Sequence, residues 1–155
     1  MTTLTLPTAQ DTLAFGDRLG HRLRAGDLII LSGALGAGKT VLTKGIAVGM
    51  GVTGIVMSPT FVIARVHRPA HRGAVPLVHV DAYRLAGALE FDDLDLDTDL
   101  TAAAMVVEWG EGRAEQLAED HLLIRLTRHP DDTRTAELVP VGERWRTVVL
   151  DLSGG

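Results

Sequence analysis

The sequence contains no cysteine. That removes thiolate nucleophiles, thiolate metal sites, iron–sulfur ligation and disulfide staples from the options, and it fits a reducing compartment. Nor is there an apolar run approaching the roughly 20 residues that cross a bilayer, so no membrane association is expected. The opening MTTLTLPTAQDTLAF lacks the positive charge and long apolar segment of a secretory leader, which points to a cytoplasmic protein. Excess positive charge is missing too: the net charge is −5. The chain alone is therefore not expected to hold nucleic acid, whose non-specific affinity comes from Lys and Arg on phosphates. What is present is ordinary for one globular domain: 155 residues, 46% hydrophobic and 23% charged. A single domain over residues 1–155 is the expectation.

Along the chain, strand and helix signals alternate. Thr8 followed by Asp11 marks a helix start, and leucines then recur near helical spacing as far as Gly26. Asp27–Leu31 reads as a buried strand, residues 33–40 as a glycine loop, and Thr40–Met50 as a helix closed by Gly49 and Gly51. Further strands are expected at 61–66, 75–81, 102–109, 121–127 and 133–139, with helices within 90–99 and over 111–120. The ending GERWRTVVLDL suits either type: its β-branched residues favour a strand, while the spacing of Trp145, Val149 and Leu152 permits a helix. The alternation predicts an α/β protein, a three-layer sandwich with a mostly parallel sheet and helices on both faces.

The sharpest signal is GALGAGKT at 33–40, which matches GxxxxGK[ST] at Gly33, Gly38, Lys39 and Thr40, directly after a strand and at the start of a helix. Glycines at 33, 36 and 38 let successive backbone N–H groups converge on an anion at the positive end of the helix. The candidate cradle is Gly33, Leu35, Gly36, Ala37, Gly38, Lys39, Thr40 and Val41. Lys39, placed in an exposed nest, would bring a point charge to the β and γ oxygens, and the Thr40 hydroxyl would bind Mg²⁺. The sequence has no NKxD guanine motif, so ATP is the expected nucleotide.

Hydrolysis needs a strand-end acid and a polar sensor of the third phosphate. VPLVHVD ends in Asp81 and AAAMVVEW delivers Glu108, while Thr60 in SPTF sits on a loop stiffened by Pro59. His79 suits a hydrogen-bonding orienter better than a metal ligand. The acidic stretch EFDDLDLDTD at 90–99 lacks the glycine and terminal glutamate of an EF-hand and reads as solvated surface. The stretch ARVHRPAHRG at 64–73 carries Arg65, Arg68 and Arg72 and reads mainly as a solvated loop.

In order, GALGAGKT, SPTF, HVDAYR and VVEWGE resemble the TsaE (formerly YjeE) family of P-loop ATPases of bacterial tRNA threonylcarbamoyladenosine biosynthesis, from Asp11 to Arg134. The resemblance implies an ATPase that works with TsaB and TsaD and meets tRNA through that complex, as threonylcarbamoyl passes to adenosine 37. It also implies that Thr40 and Glu108 hold Mg²⁺, that Thr60 and Asp81 lie in switch regions, and that Trp109 supports the γ-phosphate side. The adenine would then lie between the Asp11/Thr12 turn and Arg134. The chain departs from the family pattern in carrying Gly110 after Trp109 and a longer Arg/His loop at 64–73. Two other readings stay open at this point: a small-metabolite kinase with Arg65, Arg68 and Arg72 as a lid, and a nucleotide switch without turnover.

Overall fold

The computed structural model describes residues 2–34, 36–52, 64–69, 75–81, 102–108 and 118–154. Its elements are, in chain order, β1 (Thr2–Leu6), α1 (Ala9–Gly20), β2 (Leu28–Ser32), α2 (Lys39–Met50), β3 (Ala64–His67), β4 (Leu77–Asp81), β5 (Ala104–Glu108), β6 (His121–Arg128), β7 (Arg134–Val141) and α3 (Glu143–Gly154). The seven strands form one sheet in the order β1-β7-β6-β2-β5-β4-β3.

The four central strands β6, β2, β5 and β4 are parallel, and β1, β7 and β3 join antiparallel at the flanks. Chain length explains the flanks. Only residues 129–133 separate β6 from β7, far short of the dozen or more that a parallel crossover needs. The strands β2 and β5 are buried on both faces, as parallel central strands are, and their sequences LIIL and AMVV are continuously apolar.

One face of the sheet packs against all three helices. Its core includes Phe15 and Leu19 of α1, Leu42 and Ile46 of α2, and Trp145 and Val149 of α3, over Ile29, Leu31, Ile124 and Leu138. The other face buries Ile30, Val78, Val80 and Val107. The helices expected there, within 90–99 and 111–120, lie outside the described residues except for 118–120, which form no helix. Among the described residues, no helix is long and apolar enough to cross a membrane.

Local chemistry accounts for where the elements begin and end. Thr8 caps α1 in a reciprocal box: the Asp11 N–H donates to the Thr8 hydroxyl, and the Thr8 N–H donates to the Asp11 carboxylate at 2.9 Å. The helix stops at Gly20, earlier than the expected Gly26. Beyond it the Arg22 and Leu23 N–H groups turn back to Leu19 and Gly20, and the Arg24 N–H is taken by Asp27. The ambiguous C-terminal stretch is a helix because Trp145, Val148, Val149 and Leu152, at i, i+3, i+4 and i+7, all become buried. Arg144 ties that helix to the turn before β2, donating to the Arg22 carbonyl at 2.9 Å and pairing with Asp27. β1 was not expected: TTLTL is a short, half-exposed edge strand that buries only Leu6.

The helices α1 and α2 meet backbone to backbone. A Cβ on Gly16 would lie 2.6 Å from the Leu42 carbonyl oxygen, on Gly20 2.3 Å from that of Ile46, on Gly45 2.4 Å from that of Leu13, and on Gly49 2.2 Å from that of Asp17. Two antiparallel steps separate β1 from β6, so β1 runs with β2. Each helix returns from a strand of that direction, and α1 and α2 are therefore parallel. Their N-termini both lie at the carboxyl edge of the central strands, the edge where open α/β sheets hold ligands.

Candidate functional site

At that edge β2 ends in Ser32 and the chain enters the glycine loop. Gly36 and Gly38 have φ of +83° and +108°, a region costly to side chains, which is why the loop can turn so tightly into α2. Gly38 is the N-cap of α2, and it brings no side-chain cap and no acid follows in the first turn. The contrast with α1 is instructive. There Thr8 and Asp11 occupy the helix N-terminus, whereas the first N–H groups of α2 and its positive dipole end are left facing an external anion.

Lys39 departs from the exposed position expected of it. It is 5% exposed, and its ammonium donates to the carbonyls of Gly33 at 2.7 Å and Ala34 at 3.0 Å. The loop wraps its own lysine, because a charge at the centre of a tight turn is solvated by the carbonyls around it. Ala37 is buried in the core below, while Thr40 and Val41 are half-buried in the first turn of α2. Leu35 lies outside the described residues, as do Thr60 and Trp109.

The two strand-end acids meet in register. The Cα partners of Glu108 on β5 are Leu31 on β2 and Asp81 on β4, so both acids stand at the edge from which the glycine loop departs. Glu108 is 3% exposed and hydrogen-bonded to His79, which is fully buried. Among the described residues no group of three or more His, Cys, Asp or Glu could cage a metal ion. Mg²⁺ takes one or two protein oxygens and completes its octahedron with water and phosphate. Thr40, in the first turn of α2, and Glu108, at the end of β5, are of that donor type.

Arg134 begins β7 opposite Leu6, the last residue of β1, so it stands beside the Thr8–Asp11 turn. Its side chain reaches the glycine loop: a Cβ on Gly38 would lie 3.6 Å from its Cδ and 3.7 Å from its Nε, a buried nitrogen with no hydrogen-bond partner among the described residues. The fold thus brings Asp11, Gly38 and Arg134 to one place. Thr12 is fully buried, and the Asp11 carboxylate is engaged by Thr8.

Apart from Arg134, the β6–β7 hairpin was not expected to border the glycine loop. A cavity of about 720 Å³ lies between it and the loop, lined by Ser32, Gly33, Ala34 and Ala37 on one side and by residues including Arg125, Arg128 and Asp132 on the other. Arg128 pairs with Asp132, and its Nη1 is 3.9 Å from where a Gly36 Cβ would stand. The available signal was the turn sequence HPDDT. In it the Thr133 hydroxyl and N–H donate to Asp131 and hold that exposed carboxyl below the usual carboxylate range. Of the arginines in 64–73, Arg65 sits within β3, at the far flank of the sheet, and Arg68 follows that strand, while residues 70–74, Arg72 among them, lie outside the described residues.

The family model described as "Threonylcarbamoyl adenosine biosynthesis protein TsaE" matches residues 6–136. The tRNA threonylcarbamoyladenosine biosynthesis protein TsaE of Mycobacterium tuberculosis is 58% identical over 141 residues, covering 86% of this chain and 84% of its own. That of Streptomyces coelicolor is 54% identical over 145 residues, covering 90% and 97%. The crystal structure of Bacillus subtilis YdiB superposes with a TM-score of 0.78 at 31% identity, over 99% of this chain and 94% of that one.

Proposed function

Because the chain belongs to the TsaE family of tRNA threonylcarbamoyladenosine biosynthesis proteins, we propose that it binds ATP with Mg²⁺ at the 33–40 loop and hydrolyses it. The hydrolysis is slow alone and faster in a cytoplasmic complex with TsaB and TsaD, where threonylcarbamoyl passes to adenosine 37 of tRNA. The observation that carries the ATP reading is the uncapped N-terminus of α2, with Lys39 beside it and two strand-end acids in register across from it.

In this reading the backbone N–H groups of the loop bind the phosphates and Lys39 leaves its carbonyl partners to meet the β and γ oxygens. Thr40 and Glu108 hold the magnesium, which when bound offsets charge on those oxygens. Asp81 and Thr60 complete the switch side, Trp109 supports the γ-phosphate, and Asp11, Thr12 and Arg134 flank the adenine. Replacing Thr40 with alanine then removes one metal ligand and is expected to raise the Mg²⁺ concentration for half-maximal hydrolysis about tenfold. A magnesium titration identical to that of the unmodified protein would remove Thr40 from the metal site.

Phosphoryl transfer is mainly positioning and charge stabilisation, so a partner that fixes Thr60 and Asp81 around the third phosphate speeds it. The chain's net charge of −5 also disfavours holding tRNA unaided. Single-turnover ATP hydrolysis compared for the protein alone, with TsaB and TsaD, and with tRNA added tests the coupling. Acceleration of at least tenfold by the partners is expected. Equal rates in all three mixtures would mean a self-sufficient ATPase.

A further inference from the structure

The interior polar pair His79–Glu108 lies on the helix-bearing face of the sheet, just beneath the strand ends. His79 is fully buried at the middle of β4, two residues before Asp81, and Glu108 is the last residue of β5. Asp81 and Glu108 are Cα partners, and His79 is the diagonal neighbour of Glu108 on the same face. Its Nε2 meets Oε2 of Glu108. Toward the ionised form of a carboxylate, which only accepts hydrogen bonds, the donor of this bond is Nε2.

We propose that His79 is the positioning residue of the site: it fixes the Glu108 carboxylate in one orientation, with Oε2 held from below and Oε1 presented to the metal shell above. The proposal rests on the ATP–Mg²⁺ reading and adds to it the origin of the carboxylate's geometry. A glutamate has three rotatable bonds, and at a strand end it would sample several rotamers. A hydrogen bond from a ring locked in the sheet interior removes that freedom before nucleotide arrives. The bond to Glu108 gives a polar ring a role in this interior position. Partners that orient a metal-binding side chain in this way commonly matter 10–100-fold in metal affinity or activity.

Three variants test it. His79→Leu removes the donor. His79→Gln keeps one near the same point, because the glutamine amide nitrogen reaches about as far as Nε2. His79→Leu combined with Glu108→Gln asks whether the histidine acts through the glutamate. Calorimetric binding of ADP in EDTA should be unchanged within about twofold in all three, since the loop is untouched. In His79→Leu the added affinity conferred by Mg²⁺ should fall at least about tenfold and hydrolysis should fall similarly, with His79→Gln recovering most of both. The double variant should be no worse than Glu108→Gln alone, the mark of two residues acting as one unit.

Unchanged magnesium linkage in His79→Leu, or losses that multiply in the double variant, would overturn the proposal. Should His79→Leu fail to fold, His79→Asn, whose shorter amide does not reach Glu108, takes its place in the single and the double variant: weakened magnesium linkage that His79→Gln recovers, with no added loss beside Glu108→Gln, supports the positioning role, and unchanged linkage or multiplying losses refute it. Failure of the unmodified protein to bind ATP would instead defeat the function reading beneath it.

Discussion

Lys39→Ala is expected to lower ATP affinity or single-turnover hydrolysis by at least about 100-fold, the effect of deleting one well-placed donor to developing charge. The loop itself holds the Lys39 ammonium, bonded to the carbonyls of Gly33 and Ala34. Deleting it has a second effect that an exposed lysine would not produce. Two backbone carbonyls lose a charged donor and must turn to water, which at a partly buried site costs about 1–2 kcal/mol. For a chain of this size that corresponds to a fall in melting midpoint of about 2–8 °C. The protein should still fold, because the apolar core beneath the loop, Ala37 and Leu31 among it, is untouched. Calorimetry with ATP and a thermal melt on the same sample separate the two effects. Unchanged affinity and turnover in a folded Lys39→Ala protein would remove the phosphate-loop reading altogether.

The parts of the site that could be read from sequence are those built from consecutive residues. The strand, loop and helix around GALGAGKT, the cap made by Thr8 and Asp11, and the apolar strands ending in Asp81 and Glu108 each sit within one window, where spacing and residue type determine the outcome. The parts that could not be read depend on strand order. Nothing local to HPDDT shows that the β6–β7 hairpin borders the glycine loop, because that follows from β6 lying beside β2 in the sheet. His79 could be recognised as an orienter, but its partner lies 29 residues away on a neighbouring strand. The parallel core was legible from continuous apolar runs. The antiparallel flanks were less so, since β1 has only alternating Leu and Thr to announce it.

Glycine was where local rules misled. Gly49 read as a helix terminator together with Gly51, yet it lies inside α2, which ends at Met50 with Gly51, at φ of +69°, as its C-cap. An exposed glycine within a helix gains about 1 kcal/mol of stability when replaced by alanine. The prediction for Gly45 and Gly49 has the opposite sign. A methyl group on either would stand 2.4 Å or less from a backbone carbonyl oxygen of α1, closer than any packed side chain, and backbone cannot rotate out of the way. The two helices must separate, opening the seam over Leu19, Leu42 and Ile46. Overpacking of this kind costs about 1–3 kcal/mol per site, so Gly45→Ala/Gly49→Ala should lower the melting midpoint by roughly 5–20 °C. Gly51→Ala separates crowding from backbone conformation: among the described residues nothing lies within 4 Å of its added Cβ, and the left-handed backbone opposes it at about 1–2 kcal/mol. If Gly45→Ala/Gly49→Ala instead melted at or above the unmodified protein, helix propensity would have won and the close seam would not exist in solution. A real seam has a consequence for the site as well. It holds the Thr8–Asp11 turn of α1 at a fixed distance from Gly38 of α2, so the same double variant should bind ADP more weakly than its remaining folded fraction accounts for, whereas Gly51→Ala should not.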